Sequence, residues 1–283
     1  MKQKLGFVDL FIDEWHANNY PAWIKGAPRA AEFELAYAWQ AEQRPNLRTL
    51  DKWCADFGVT PCGSIEEVVE KSDAIFVLAP ANPEVHEKLA ELPLKSGKKV
   101  YIDKPFAPDK AAAERMFALA DKHHTAMFSS SALRFGSELA AAKKDFPPAR
   151  IEMMNTRGGG RSFEEYSIHQ AEMIVSCMGT GIADVMQCGT GRTNHAVIRY
   201  KDGRRAAMTL NPNTPFAAAL YANDAISTIG EMGDFFPNLL AAILDFFATG
   251  KTPVDRAETI EIAALVRAAI DAQQTPDRWV ALA

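Results

Sequence analysis

With 283 residues, 31 Lys+Arg against 36 Asp+Glu, 48% hydrophobic and 24% charged, the chain has the make-up of a folded globular protein of about two domains. That balance excludes a disordered, collagen-like or disulfide-scaffold chain. The net charge of −5 comes without a basic stripe or an apolar run of about 18 residues, so neither nucleic acid nor a membrane is an expected partner.

A short apolar run at residues 4–8 predicts a first strand, and a second run follows at 33–39. Asn46 is placed to cap a helix through Phe57, which Gly58 stops in the left-handed conformation. Ser64-Ile65-Glu66-Glu67 reads as a capping box opening a helix toward Lys71. The run at 73–79 predicts a strand. Asn82-Pro83 then sets a cap and a proline at the first helical position, where a missing N–H is no loss. Strand 99–102, an Ala-rich helix over 109–123 and a weaker strand at 126–129 complete the first half. Such short continuous runs suit strands buried on both faces. Their alternation with helices predicts a Rossmann-type, doubly wound parallel sheet over residues 1–130.

From 131 to 283 the pattern changes to α+β. A helix is predicted over 137–144, and Pro147-Pro148 breaks the chain before a strand at 150–156. Gly158-Gly159-Gly160 reads as a flexible joint ahead of a helix from Phe163 to Met178, stopped by Gly179. Strands follow at 182–188, 195–200 and 204–210, the last two joined by the hairpin signal Asp202-Gly203. A further pair is predicted at 217–222 and 225–229, and helices at 235–249 and 256–272 end the chain. Consecutive hairpins packed on helices predict a mainly antiparallel sheet, whose free face suits a homodimer or homotetramer.

Met1-Lys2-Gln3-Lys4-Leu5-Gly6-Phe7-Val8-Asp9 is too quickly charged for a secretory signal. Cys54, Cys62, Cys177 and Cys188 are scattered without a C-x-x-C pair, which predicts neither a disulfide framework nor a zinc ribbon. A reduced, cytoplasmic enzyme or binding protein is the expectation, with no metal site.

Three landmarks carry a family resemblance. Lys99-Val100-Tyr101-Ile102-Asp103-Lys104-Pro105-Phe106-Ala107 resembles the strand-ending Glu-Lys-Pro signature of the glucose–fructose oxidoreductase/inositol dehydrogenase family (Gfo/Idh/MocA). Ala79-Pro80-Ala81-Asn82-Pro83-Glu84-Val85-His86 is similar to that family's Thr-Pro-Asn-x-x-His segment, with Asn-Pro in reversed order. Gly158 to Gly160, followed by Glu165-x-x-x-His169-x-x-Glu172, resembles its glycine-rich turn and Asp-x-x-x-His-x-x-Asp helix. The resemblance implies an NAD- or NADP-dependent oxidoreductase acting on a sugar, polyol or related hydroxy compound. It places Leu10, Phe11, Ile12, Trp39, Pro80, Asn82, His86 and Lys104 along the cofactor. It gives Lys104, His169 and Glu165 catalytic roles, with His169 taking the hydroxyl proton.

The residues support these roles unequally. Lys104 ends a strand on the side of an open α/β sheet where ligands bind, and burial there suits a lysine to proton exchange. Glu165, His169 and Glu172 share one helix face, an arrangement in which a carboxylate can orient an imidazole base. Ser162-x-x-Glu165 is also a capping box, a purely structural use of Glu165. The G-x-G-x-x-G fingerprint would fall at positions 9, 11 and 14, where this chain has Asp9, Phe11 and Glu14. Its glycines let the backbone turn tightly and a pyrophosphate approach, so Phe11 crowds the seat and the acids oppose the phosphate. Trp39 and Gln40 end the second strand without a carboxylate for the ribose. Three readings therefore stand: a dehydrogenase with the cofactor in an altered pose, a relative using transient oxidation for elimination or glycoside cleavage, and a catalytically silent relative without a nicotinamide cofactor.

Overall fold

A computed structural model describes residues 1–188 and 194–282 as two compact units. The first comprises Met1–Ala107, Ala111–Ser130 and Phe236–Asp255; the second comprises Pro108–Lys110, Ser131–Phe235 and Arg256–Ala283, the last residue lying outside the described ones.

In the first unit β1 (Gln3–Asp9), α1 (Trp15–Gly26), β2 (Phe33–Gln40), α2 (Leu50–Phe57), β3 (Thr60–Pro61), α3 (Ile65–Lys71), β4 (Ala74–Val77), α4 (Pro83–Lys95), β5 (Lys99–Ile102), α5 (Lys110–Lys122) and β6 (Met127–Ser129) alternate along the chain. The six strands form one parallel sheet in the order β3-β2-β1-β4-β5-β6. Leu5, Phe7, Val8 and the whole of β4 are buried, as strands covered on both faces require. The order reverses between β1 and β4, so their carboxyl ends frame the crevice where such sheets hold ligands.

Two caps differ from expectation. Asn46 takes φ +66°, a left-handed turn that a short polar side chain tolerates, and α2 starts later, with Thr49 Oγ1 accepting the Lys52 N–H at 3.3 Å. Asn82 makes no side-chain cap; its amide donates to Glu84 at 3.2 Å, while Pro83 does open α4. By contrast, Ser64 caps α3 and Gly58 ends α2 at φ +70°.

The second unit contains α6 (Ser137–Asp145), β7 (Met153–Gly158), α7 (Phe163–Met178), β8 (Ile182–Cys188), β9 (Asn194–Tyr200), β10 (Arg205–Leu210), β11 (Ala217–Tyr221) and β12 (Ile226–Ile229). After α8 (Phe235–Thr249), α9 (Arg256–Ala272) and β13 (Val280–Ala281) complete it. Its seven-stranded sheet runs β12-β11-β7-β10-β9-β8-β13, antiparallel except for the β7–β10 pair. Ile168, Ala171 and Val175 of α7 and Ile262 and Leu265 of α9 join its buried core with Met154, Ile198 and Met208.

A division at residue 130 would leave α8 with the second unit, yet Phe236–Asp255 groups with the first. Phe247 packs its ring on Phe76 at 5.1 Å and Phe246 on Phe128 at 5.1 Å, so the aromatic pair finds its partners around the parallel sheet. The three glycines also depart from a flexible joint. A Cβ on Gly158 would meet the Phe216 ring at 2.2 Å, and one on Gly160 would meet Tyr166 at 2.1 Å. Close packing, rather than freedom, selects glycine there.

Candidate active site

At the carboxyl edge of the parallel sheet, the loop after β1 folds onto its own side chains. Asp9 is fully buried; its Oδ1 accepts the N–H groups of Leu10 at 2.7 Å and Ala79 at 3.0 Å, while Oδ2 has no partner. Burial, then the Glu14 charge, pushes the Asp9 carboxyl well above the usual range. Glu14 is the N-cap of α1 and accepts the N–H groups of His16, at 2.7 Å, and Ala17. Burial pushes its carboxyl up to about 8; the two backbone bonds and the Lys104 charge work against that rise. Asp13 turns away and pairs with Arg48 at 2.7 Å, a bond that pulls it down to about 2. The Arg44 guanidinium covers the Phe11 ring at 3.7 Å, and the Ile12 N–H donates to Gln40 Oε1 at 2.9 Å.

A second cluster ends β5. Asp103 is fully buried, with Oδ2 on His16 Nδ1 and Oδ1 accepting from the Lys104 N–H at 2.8 Å and the Tyr101 hydroxyl at 3.3 Å. Burial alone would raise the Asp103 carboxyl, but His16 and Lys104 outweigh it and hold it below the usual range. Burial lowers His16, against the opposing pull of Asp103. The His16 ring stacks on Tyr20 at 5.2 Å and meets Trp15 and Phe236 edge-on. The Lys104 charge acts on Glu14, His16 and Asp103 together. This network joins residues 87 positions apart, and the sequence signals were only an aspartate before Lys104 and a histidine after the divergent loop.

The loop after β4 is strained: Ala79 and Ala81 take φ +67° and +65°, a region costing an L-residue roughly 1–2 kcal/mol. Strain of this kind concentrates at functional sites. Pro80 and Asn82 lie half-buried in the same segment, and Trp39 and Leu10 are half-buried at the ends of β2 and β1. Ile12 and His86 are fully buried. His86 reaches Leu78 O at 2.6 Å and Phe106 O at 3.0 Å, tying the two loops together from beneath.

In the second unit His169 sits half-buried on α7, its Nδ1 2.7 Å from Ser131 Oγ and its ring against Phe216 and Tyr166. The expected carboxylate face is divided. Glu165 pairs with Arg161 at 2.7 Å, and its N–H is capped by Ser162. Glu172 is buried against Arg134, which also holds Glu258, both at 2.5 Å. Each acid is thus engaged by an arginine, and Ser131 is the orienting contact that sequence spacing did not indicate. Among the described residues no group of three or more His, Cys, Asp or Glu is placed to hold a metal, and no helix is long and apolar enough to cross a membrane.

A parallel Rossmann-type sheet and a second unit built on a mixed sheet define a two-unit α/β fold. Residues 16–130 match the model of the oxidoreductase family with an NAD-binding Rossmann fold, Gfo/Idh/MocA. A curated relative, an uncharacterized oxidoreductase YhhX of Escherichia coli, is 24% identical over 177 residues, 56% of this chain; the matched stretch spans about half, 47%, of the relative's length. Among solved structures, a probable dehydrogenase from Thermotoga maritima superposes with a TM-score of 0.82 at 16% identity, covering 99% of this chain and 98% of its own. The scyllo-inositol dehydrogenase of Lactobacillus casei, solved with NAD(H) and scyllo-inositol, gives 0.82 at 15% identity, covering 100% and 99%. The WlbA dehydrogenase of Bordetella pertussis, solved with NADH and UDP-GlcNAcA, gives 0.79 at 16% identity, covering 100% and 99%.

The family whose model matches residues 16–130 is described as oxidoreductases with an NAD-binding Rossmann fold, so a nicotinamide dinucleotide is the cofactor to test against this site. For the pyrophosphate of such a cofactor the residues after β1 do not fit. The helix N-terminus that would receive it already carries Glu14, the backbone beside it carries the Phe11 side chain, and Asp9 and Gln40 hold two of the loop N–H groups. The family match itself begins at residue 16, past this loop.

Proposed function

We propose that the chain acts on the carbinol group of a sugar, polyol or related hydroxy compound, with Lys104 and His169 handling the hydroxyl proton. The observation that carries the reading is Lys104 at the carboxyl edge of the sheet. Its backbone is fixed by the buried Asp103 carboxylate, and its charge acts on Glu14 and His16. A lysine held among titratable groups is suited to exchanging a proton with a substrate oxygen. His169, oriented through Nδ1 by Ser131, is the proton carrier proposed in the second unit. Glu165 supports that unit through its pairing with Arg161. The ligands named for the Lactobacillus and Bordetella structures, a cyclitol and a nucleotide sugar acid, support this choice of substrate class.

The test is a panel of cyclitols, pyranoses and sugar acids offered with NAD⁺ or NADP⁺, read by reduced-nicotinamide absorbance. Substrate-dependent absorbance with one cofactor is the expected result. The filled phosphate seat favours a second reading, a relative that binds a small molecule without the nicotinamide cofactor. Panel-wide inactivity together with no calorimetric binding of NADH or NADPH would establish that reading instead. We also propose self-assembly through the sheet face of the second unit, where Met153, Asn155, Val197, Ala207 and Thr209 are only half-buried. Light scattering should then give a mass of two or four 31.1 kDa chains; a single-chain mass rejects it.

A further inference from the structure

We infer that the phosphate seat of the Rossmann unit is occupied by the chain's own Glu14, a built-in hydrogen-bond acceptor that keeps a dinucleotide pyrophosphate away from the N-terminus of α1. The inference goes beyond the proposed reaction and does not depend on it, because it concerns where a cofactor is excluded.

Six contacts support it. Both Glu14 oxygens accept backbone N–H groups, from His16 and Ala17, so the donors a phosphate would use are already paired with a carboxylate. The Leu10 N–H is taken by Asp9 Oδ1 and the Ile12 N–H by Gln40 Oε1, which removes two further donors from the loop. Phe11 stands where close backbone approach needs glycine, and Arg44 stacked at 3.7 Å keeps its ring in place. Asp9 lies fully buried on the same turn, tied to Ala79, and cannot swing aside without breaking the link between β1 and the loop after β4.

An external anion would therefore exchange one carboxylate for one phosphate at the helix end, with no new donor gained, and would have to displace an aromatic ring as well. Any dinucleotide that serves the chain is held by other contacts. The arrangement also gives the two acids of the loop a use: their carboxyl oxygens accept the N–H groups that a bound anion would otherwise take.

The test is a gain of affinity. Glycine is tolerated at a helix N-cap, so Phe11→Gly combined with Glu14→Gly empties the seat while keeping the helix start. Calorimetric titration with NADH and NADPH should show the double variant binding at least one of them about tenfold more tightly than the parent chain. Inorganic pyrophosphate should give the parent no saturable heat up to about 10 mM. Equal or weaker dinucleotide binding by a folded double variant overturns the inference, as does saturable pyrophosphate binding by the parent. Should the double variant fail to fold, the amide ¹⁵N–¹H signals of His16 and Ala17 in the parent decide. They are expected to stay unmoved by pyrophosphate, and saturable shifts would overturn the inference. Turnover is not read, so the oxidoreductase proposal stands or falls separately.

Discussion

Lys104→Ala is expected to lower turnover of the carbinol substrate by about 10²–10⁴-fold, the range supplied by a positioned acid–base group. The buried Asp103 at the end of β5 takes the Lys104 backbone N–H, the Tyr101 hydroxyl and His16. Alanine keeps that backbone bond, so the network under the site survives while the ammonium is lost. Cooperative urea unfolding of the variant should confirm it. Lys104→Arg restores the charge but not the proton exchange, because a guanidinium stays protonated throughout the accessible pH range. It should therefore recover substrate affinity more than turnover, seen as KM moving toward the parent value while kcat stays low. Parent-like kcat in both variants would remove Lys104 from the chemistry.

Between pH 6.5 and 8 the folded chain is expected to lose stability, and Glu14→Gln should flatten that loss. Glu14 has its ordinary value near 4.5 and is pushed by burial to about 8 in the folded chain. In that window the unfolded glutamate has released its proton and the folded one still holds it, so the folded state binds more protons. Stability then falls as pH rises, by up to about 1.4 kcal/mol per pH unit for one group. Asp9, also raised by burial, adds with the same sign. His16 and His86, both lowered by burial, act in the opposite direction, but mainly below their ordinary value of 6.5. Asp103, held below its usual range, contributes only in acid. Urea midpoints at pH 6.5 and 8 for the parent and for Glu14→Gln measure the difference. A slope unchanged by the substitution would show that the carboxyl of Glu14 ionises normally.

Much of the scaffold was legible because its signals are local. Continuous apolar runs mark β1, β4 and β5, Ser64 and Ser162 cap α3 and α7 as their capping boxes indicate, and Gly203 takes φ +100° between β9 and β10. Asn46 misled because Thr49, three residues on, competes for the same helix start and takes it. The two-residue strands β3 and β13 carry no period at all; they exist through pairing with β2 and β8.

The candidate site divides in the same way. Lys104, His169 and the divergent residues 9, 11 and 14 could be picked out from motif order, since each stands at a set distance from a strand or helix end. What those side chains touch could not. His16 meets Asp103 across 87 residues and Ser131 meets His169 across 38, while Glu165 pairs with Arg161 and Glu172 with Arg134. Spacing along one helix restricts which side chains share a face, but it does not name a distant partner such as the Arg134 that holds Glu172.

Composition and period were thus enough to indicate an acidic chain with a Rossmann-type sheet, and motif order a resemblance to the Gfo/Idh/MocA family with an unusual first loop. The meaning of that loop came from folding. Three carboxylates near a phosphate seat look repulsive in a linear sequence. In three dimensions Asp13 is paired with Arg48, Asp9 holds two backbone N–H groups, and Glu14 closes the helix end. Burial and long-range pairing set the charge and direction of each group, and neither is encoded in the residues taken one at a time.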